Sequence, residues 1–389
     1  MLIKKIIFLV ISPFSQRDYD RFGVGTLQEN SFDVEVFDLS RLLRKGAPEI
    51  SNSMHIKYVN SYKNFEKLIA ENIDNTLYIK IYGESSQLHS VNLILTKYNA
   101  TTMLLNTNIL PISIKQQRWF YQLRYLSSSF SIKNVSRRIS YLCTRHKINC
   151  HDYVLIGGAE GRKCIGVDEK TVFISAHTLD YDIFISQKSF PSLIRNKYVV
   201  FLDEYLPYHP DEQFTGDEHY LKSIASTYYQ KLNVFFDSIE SIYGFEVVVA
   251  AHPRADYGTI NNPFKNRVCI KGKTNQLIQH SEFCLGHFST SMHFAILHFK
   301  PLVFITLKEI DHLFGDFIGQ FANKLHGKKL FIDDIECLKR INLSTNYEIY
   351  EQYINAYIKE LKEDNPEENT WSILSKYLIT HNATGGTDV

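Results

Sequence analysis

Three short groups in the second half of the chain have the residue types for group transfer onto a hydroxyl with an anionic leaving group. Asp203-Glu204 brings carboxylates that can take a proton from the attacking hydroxyl. His252-Pro253-Arg254 brings an imidazole and a guanidinium that can meet a phosphate, with proline fixing the turn that aims the ring. Ser289-Thr290-Ser291 brings hydroxyls. If a strand gives way to a helix there, they can cap it while backbone N–H groups and the helix dipole point outward at an anion. Adjacent residues of an extended chain point to opposite sides, so only one of Asp203 and Glu204 is expected to face the ligand. Each group also has an ordinary reading, as a solvated loop acid, a structural histidine or a helix cap.

What raises them above that reading is the set of elements that must carry them. Residues 198–202 are β-branched and aromatic, a strand that ends at Asp203. Residues 220–243 repeat apolar side chains at three- and four-residue spacing and stop at Gly244, a helix with its C-cap. Residues 245–251 form the next strand and end at His252. Strand 267–270, helix 274–280, strand 282–285, helix 289–298 and strand 301–305 continue the alternation. Ligands of open α/β sheets bind beyond the carboxyl ends of the strands. Asp203-Glu204, His252, the run Lys271, Gly272, Lys273 and Thr274, and the run from His287 to Ser291 all fall at such ends, so four polar clusters are expected to face one crevice.

The first half alternates in the same way, with strands expected at 5–11, 33–37, 76–81, 102–105, 153–156 and 172–175. A length of 389 residues suits two domains. The pattern divides the chain into a Rossmann-like domain at 1–190, a second at 195–345, terminal helices at 346–380 and a disordered tail at 381–389; the resemblance given below makes the first the acceptor side and the second the nucleotide-sugar-binding side. Hydrophobic content of 44% with 22% charged residues excludes a disordered or fibrous chain. Lysine and arginine number 43 against 42 acids, so the charge balance asks for no nucleic acid. The apolar run behind Lys4-Lys5 is too short to span a membrane or serve as a signal peptide. Six cysteines without a CxxC pair fit a reduced, cytoplasmic protein.

Cys143, His146, Cys150 and His151 crowd together without the spacing of a zinc finger. Lys271-Gly272-Lys273-Thr274 ends like a P-loop, but Arg267 stands where the leading glycine belongs. Asp180-Tyr181-Asp182 has the D-x-D form that binds Mg²⁺ or Mn²⁺ in metal-dependent glycosyltransferases, a spacing that also arises by chance. Residues 115–147 interleave basic and aromatic side chains. They fit peripheral contact with the inner face of the cytoplasmic membrane, a lipid-attached acceptor, or an ordinary surface helix with core aromatics.

Taken in order, Asp203-Glu204, His252-Pro253 and Ser289-Thr290-Ser291 resemble the bacterial sialyltransferases and Kdo transferases, which share an acidic pair followed by glycine, an HP motif and a serine pair. Tyr205 stands where that glycine is expected. The resemblance covers about residues 195 to 310 and implies a GT-B fold, two Rossmann-like domains with a cleft between them, closed by C-terminal helices. It implies a metal-independent glycosyltransferase with no cofactor, moving a nonulosonic acid from a CMP-sugar co-substrate to a glycan or lipid-linked acceptor at the cell surface. One of Asp203 and Glu204 would be the base, His252 would assist departure of CMP, and the serine/threonine cluster would hold its phosphate. Pro253, Arg254, Lys271, Gly272, Lys273, Thr274 and His287 would complete the donor side. The loop after the first strand, with Arg17, Asp18 and Arg21, looks like the acceptor side of GT-B enzymes of polysaccharide assembly. His177 and Asp180 would join it. The other readings are a GT-B transferase using a nucleotide-diphosphate sugar, with Asp180 or Asp182 on a metal, and a non-catalytic glycan- or nucleotide-binding protein.

Overall fold

A computed structural model describes residues 2–43, 55–83, 85–112, 139–188, 190–209, 217–257, 262–360 and 368–383. The chain divides into two compact units. One holds residues 1–107, 131–182 and 359–389, the other residues 108–130 and 183–358.

The first unit is a parallel sheet built from β1 (Lys5–Val10), β2 (Asp33–Asp38), β3 (Ile56–Tyr58), β4 (Thr76–Lys80), β5 (Thr101–Asn106), β6 (Tyr153–Ile156) and β7 (Val172–Ser175). Its order is β3-β2-β1-β4-β5-β6-β7. Helices α1 (Gln16–Arg21), α2 (Val24–Glu29), α3 (Ser40–Leu43), α4 (Tyr62–Glu71) and α5 (His89–Lys97) form the connections. The two-residue period of β1 sends Ile6, Phe8 and Val10 into one core and Ile7 and Leu9 into the other, so the strand is apolar throughout. β3 is only three half-buried residues long, and no period in the sequence announces it.

The second unit holds β8 (Tyr198–Leu202), β9 (Glu246–Ala251), β10 (Cys269–Lys271), β11 (Cys284–Gly286), β12 (Leu302–Thr306) and β13 (Lys329–Phe331) in the order β10-β9-β8-β11-β12-β13, again all parallel. α6 (Leu179–Ser186), which opens in the first unit, precedes β8, and between the strands run α7 (Glu218–Ser223), α8 (Ala225–Tyr243), α9 (Thr274–Gln279), α10 (Met292–Leu297) and α11 (Lys308–Lys324). Gly244 ends α8 in the left-handed conformation at φ +66° and returns its N–H to Glu240. Strand order reverses between β1 and β4 in the first sheet and between β8 and β11 in the second. These are the positions at which open α/β sheets take ligands.

The terminal helices part company. α12 (Tyr347–Tyr353) and the π-turn Ile354–Ile358 belong to the second unit, whereas α13 (Thr370–Ala383) belongs to the first. Trp371 packs edge-on against Phe8 at 5.4 Å and donates its indole N–H to the Arg21 carbonyl at 2.9 Å. Gly23 makes room for it: a Cβ there would lie 2.2 Å from the indole ring. The tail expected to be disordered from 381 is helical through Ala383, because the Asn382 amide bonds the backbone of Ile3 at both its N–H and its carbonyl. Residues 384–389 lie outside the described residues.

Candidate functional site

β8 delivers Asp203 and Glu204 to the reversal point of the second sheet, and both are buried, at 6% and 9% exposure. Their hydrogen bonds run to opposite neighbours of β8 in the sheet. Neither stands open in the crevice as the expected base would. Asp203 turns to the β9 side, where its carboxylate accepts the His252 N–H at 3.3 Å and the Tyr257 hydroxyl at 3.0 Å, along with the Tyr205 N–H at 2.9 Å. Glu204 turns to the β11 side and accepts the backbone N–H groups of His287 at 3.2 Å and Phe288 at 2.8 Å. Each acid therefore ties a neighbouring strand's loop to the end of β8.

Burial sets their protonation. It pushes Asp203 up to about 6, against the pull of the N–H and hydroxyl donors that favour the carboxylate. It pushes Glu204 up to about 7, offset by the Phe288 and His287 N–H groups and helped by the neighbouring charge of Asp203. Tyr205 takes φ +54°, the left-handed conformation that glycine adopts at least cost, at the position where the acidic motif is expected to end in glycine. Tyr229 and Tyr257 extend the network, their hydroxyls 3.2 Å apart. Since Tyr257 gives its proton to Asp203, Tyr229 is the donor to Tyr257.

His252 is half-buried after β9. Its Nδ1 accepts the Arg254 N–H at 3.2 Å, so the neutral ring carries its proton on Nε2. The Arg254 side chain is exposed. Packed on the His252 ring is His209, a residue the sequence reading passed over.

After β11 the expectations need correction at two places. His287 is fully buried: its Nδ1 donates to the Ile305 carbonyl at 2.7 Å and its Nε2 accepts the Tyr228 hydroxyl at 2.9 Å. Burial holds the ring neutral, with a pKa lowered to about 4. With both ring nitrogens and the backbone N–H engaged inside the unit, His287 has no N–H left to give a ligand. The helix beyond is the six-residue α10, and the N–H groups of Met292, His293 and Phe294 go to the carbonyls of Ser289, Thr290 and Ser291. Those groups do not point outward at an anion. Ser289 Oγ accepts both the N–H and the hydroxyl of Ser291, at 3.2 and 2.9 Å, in a local turn rather than a helix cap. What the loop presents at the sheet edge is the hydroxyls of half-buried Ser289 and Thr290.

Lys271 ends β10, the edge strand, and Gly272, Lys273 and Thr274 follow it, with Gly272 at φ +75°. The four expected clusters thus follow the ends of four consecutive strands of the sheet, β10, β9, β8 and β11.

The expected acceptor-side residues gather in the first unit, in roles that are largely internal. Asp18 closes a capping box on α1, accepting the Ser15 N–H at 3.0 Å and its hydroxyl at 2.6 Å. Arg21 Nη2 lies 3.7 Å from buried Asp180, with exposed Arg17 adding its charge nearby. His177 is fully buried and donates from Nε2 to the Glu368 carbonyl at 2.6 Å, while Asp182 accepts the Thr370 N–H at 2.8 Å at the start of α13. His177 and Asp182 thus fasten the returning helix, and Asp180 is engaged by arginine. At the end of β2, Asp38 accepts the Phe14 N–H at 3.3 Å and pins the loop after β1. Residues 115–138 of the basic, aromatic stretch lie outside the described residues. Among the described residues no helix is long and apolar enough to cross a membrane.

No protein-family model matches the chain, and no curated protein matches it. Solved structures do. The calicheamicin glycosyltransferase CalG4 is similar over 100% of both chains, with a TM-score of 0.54 at 10% identity. The glycotransferase of kitacinnamycin is similar over 98% of this chain and 99% of its own, with a TM-score of 0.53 at 10% identity. A putative UDP-N-acetylglucosamine 2-epimerase from Listeria monocytogenes is similar over 100% of this chain and 98% of its own, with a TM-score of 0.51 at 12% identity. With its two parallel-sheet α/β units, the chain has the GT-B fold.

Proposed function

We propose that this chain is a glycosyltransferase that takes its sugar from a nucleotide-activated donor held at the carboxyl edge of β8, β9 and β11. The observation that carries the reading is the convergence of Asp203, His252 and the Ser289 loop at the reversal point of the second sheet, where Asp203 and Glu204 fix the other two. In this reading the His252 imidazole donates to the donor phosphate and steadies the charge that grows as the sugar leaves. Ser289 and Thr290 supply further hydroxyl donors. Asp203 and Glu204 act by holding these groups in place. For either to serve as the base toward the acceptor hydroxyl, it has to give up backbone partners.

Among donors, the ordered acidic pair, His-Pro and Ser/Thr series favours a CMP-activated nonulosonic acid, transferred without a metal to a glycan or lipid-linked acceptor. A second reading, a nucleotide-diphosphate sugar, draws support from a UDP-sugar epimerase among the proteins of like fold. Thermal denaturation with CMP, CDP, UDP and GDP, each with and without EDTA, separates the two. Stabilisation by CMP that is indifferent to EDTA supports the first; stabilisation by UDP or GDP alone replaces it with the second.

A further inference from the structure

The chain contains two His-Pro dipeptides, His209-Pro210 and His252-Pro253. The first follows β8 and the second follows β9, which are parallel neighbours in register from Tyr198 with Glu246 to Leu202 with Ala250. The structure brings their two histidines into contact, ring centroids 4.9 Å apart and planes at 63°. His209 has the extended backbone, φ −62° and ψ 124°, that a following proline favours. Aromatic rings crowd the residues just before His209, with Tyr205 5.6 Å from Tyr208 and 5.5 Å from Tyr257.

Two imidazoles at this separation repel when both are protonated, and an oxyanion bound by both removes that penalty. Each ring can give an N–H to an oxygen, and a phosphate has several oxygens to receive them. The strands that lead to the pair, β9 and β8, and the strand that leads to Ser289 and Thr290, β11, are consecutive in the sheet. We propose that His209 is a second phosphate ligand of the nucleotide site, acting with His252 as a pair of imidazole donors. This rests on the nucleotide-dependent reading above and extends it by one residue and one contact. The competing account is that His209 only packs against His252, and a phenyl ring would do that equally well.

Calorimetric titration of the full chain decides between them, with CMP, UDP, inorganic pyrophosphate, cytidine and uridine as probes, on wild type, His209→Phe, His209→Gln and His252→Phe. Phenylalanine keeps the ring contact and removes the nitrogens; glutamine restores a donor. The expected result is a loss of roughly tenfold or more in affinity for the phosphate-bearing probe in His209→Phe, with partial recovery in His209→Gln and no change for the nucleosides. The double variant should lose less than the product of the two single losses, because both rings hold one group. If His209→Phe binds the phosphate probe as wild type does, or loses the nucleoside to the same extent, the pairing is overturned and the nucleotide reading stands. Binding of pyrophosphate through the pair with no binding of CMP or UDP leaves the pairing intact and removes the nucleotide reading. No binding of any probe by wild type removes both.

Discussion

Glu204 accepts the backbone N–H of Phe288 at 2.8 Å, a contact across 84 residues that joins the end of β8 to the loop after β11. Two backbone N–H groups of that loop are thereby held by the protein's own carboxyl group. Removing the acceptor should therefore cost stability as well as binding. Glu204→Ala leaves two buried N–H groups without partners, and urea denaturation should register a loss of about 2–4 kcal/mol. Glu204→Gln keeps an acceptor and should cost clearly less.

The same residue gives a signed dependence on pH. Folded Glu204 keeps its proton up to about 7, whereas its ordinary value is 4.5. Between those values the folded chain binds more protons than the unfolded one, so its contribution to stability falls as pH rises through that window. Wild type should thus lose stability relative to Glu204→Gln between pH 5 and pH 8. Chemical denaturation of both at the two pH values measures it, and a difference that grows in wild type's favour would contradict the burial argument.

His287 is expected to be a positioning residue. His287→Ala strands the Tyr228 hydroxyl and opens a cavity beneath the loop, at a cost of about 2–4 kcal/mol by urea denaturation. If the variant is as stable as wild type, the ring is not the internal strut described above.

Gly23 and Trp371 should behave as a coupled pair. Trp371→Ala removes a fully buried indole and should cost about 3–5 kcal/mol. Gly23→Ala sets a Cβ against that indole at φ +54°, so it should be severe alone and milder in the Trp371→Ala background. A double-mutant cycle followed by thermal melting checks the coupling.

These pairs also mark where sequence and structure part. The strands of both sheets were legible, as with residues 198–202, because a strand buried on both faces must be apolar throughout. Three-residue β3 and β13 carry no such run. That Asp203, His252 and Ser289 follow strand ends was legible in the alternation of strands and helices. The destinations of the site's polar groups were not, since Asp203 and Glu204 are satisfied by backbone N–H groups 49 to 84 residues away whose side chains are irrelevant to the bond. Likewise the return of α13 to the first unit depends on the space above Gly23, which no helical pattern reports. His209 did leave a trace, a second His-Pro, whose meaning appears only when β8 and β9 are seen side by side.

The central claim is that the edge of β8, β9 and β11 binds and turns over a nucleotide-activated sugar. Its most direct test is mass spectrometry of nucleotide release and sugar transfer, using a panel of CMP- and NDP-sugars with wild type and His252→Ala. Wild type should turn over at least one donor, and His252→Ala should cut that turnover by roughly 100-fold or more, the scale expected when one donor to a developing charge is lost. No turnover of any donor, or equal turnover by both proteins, would contradict it.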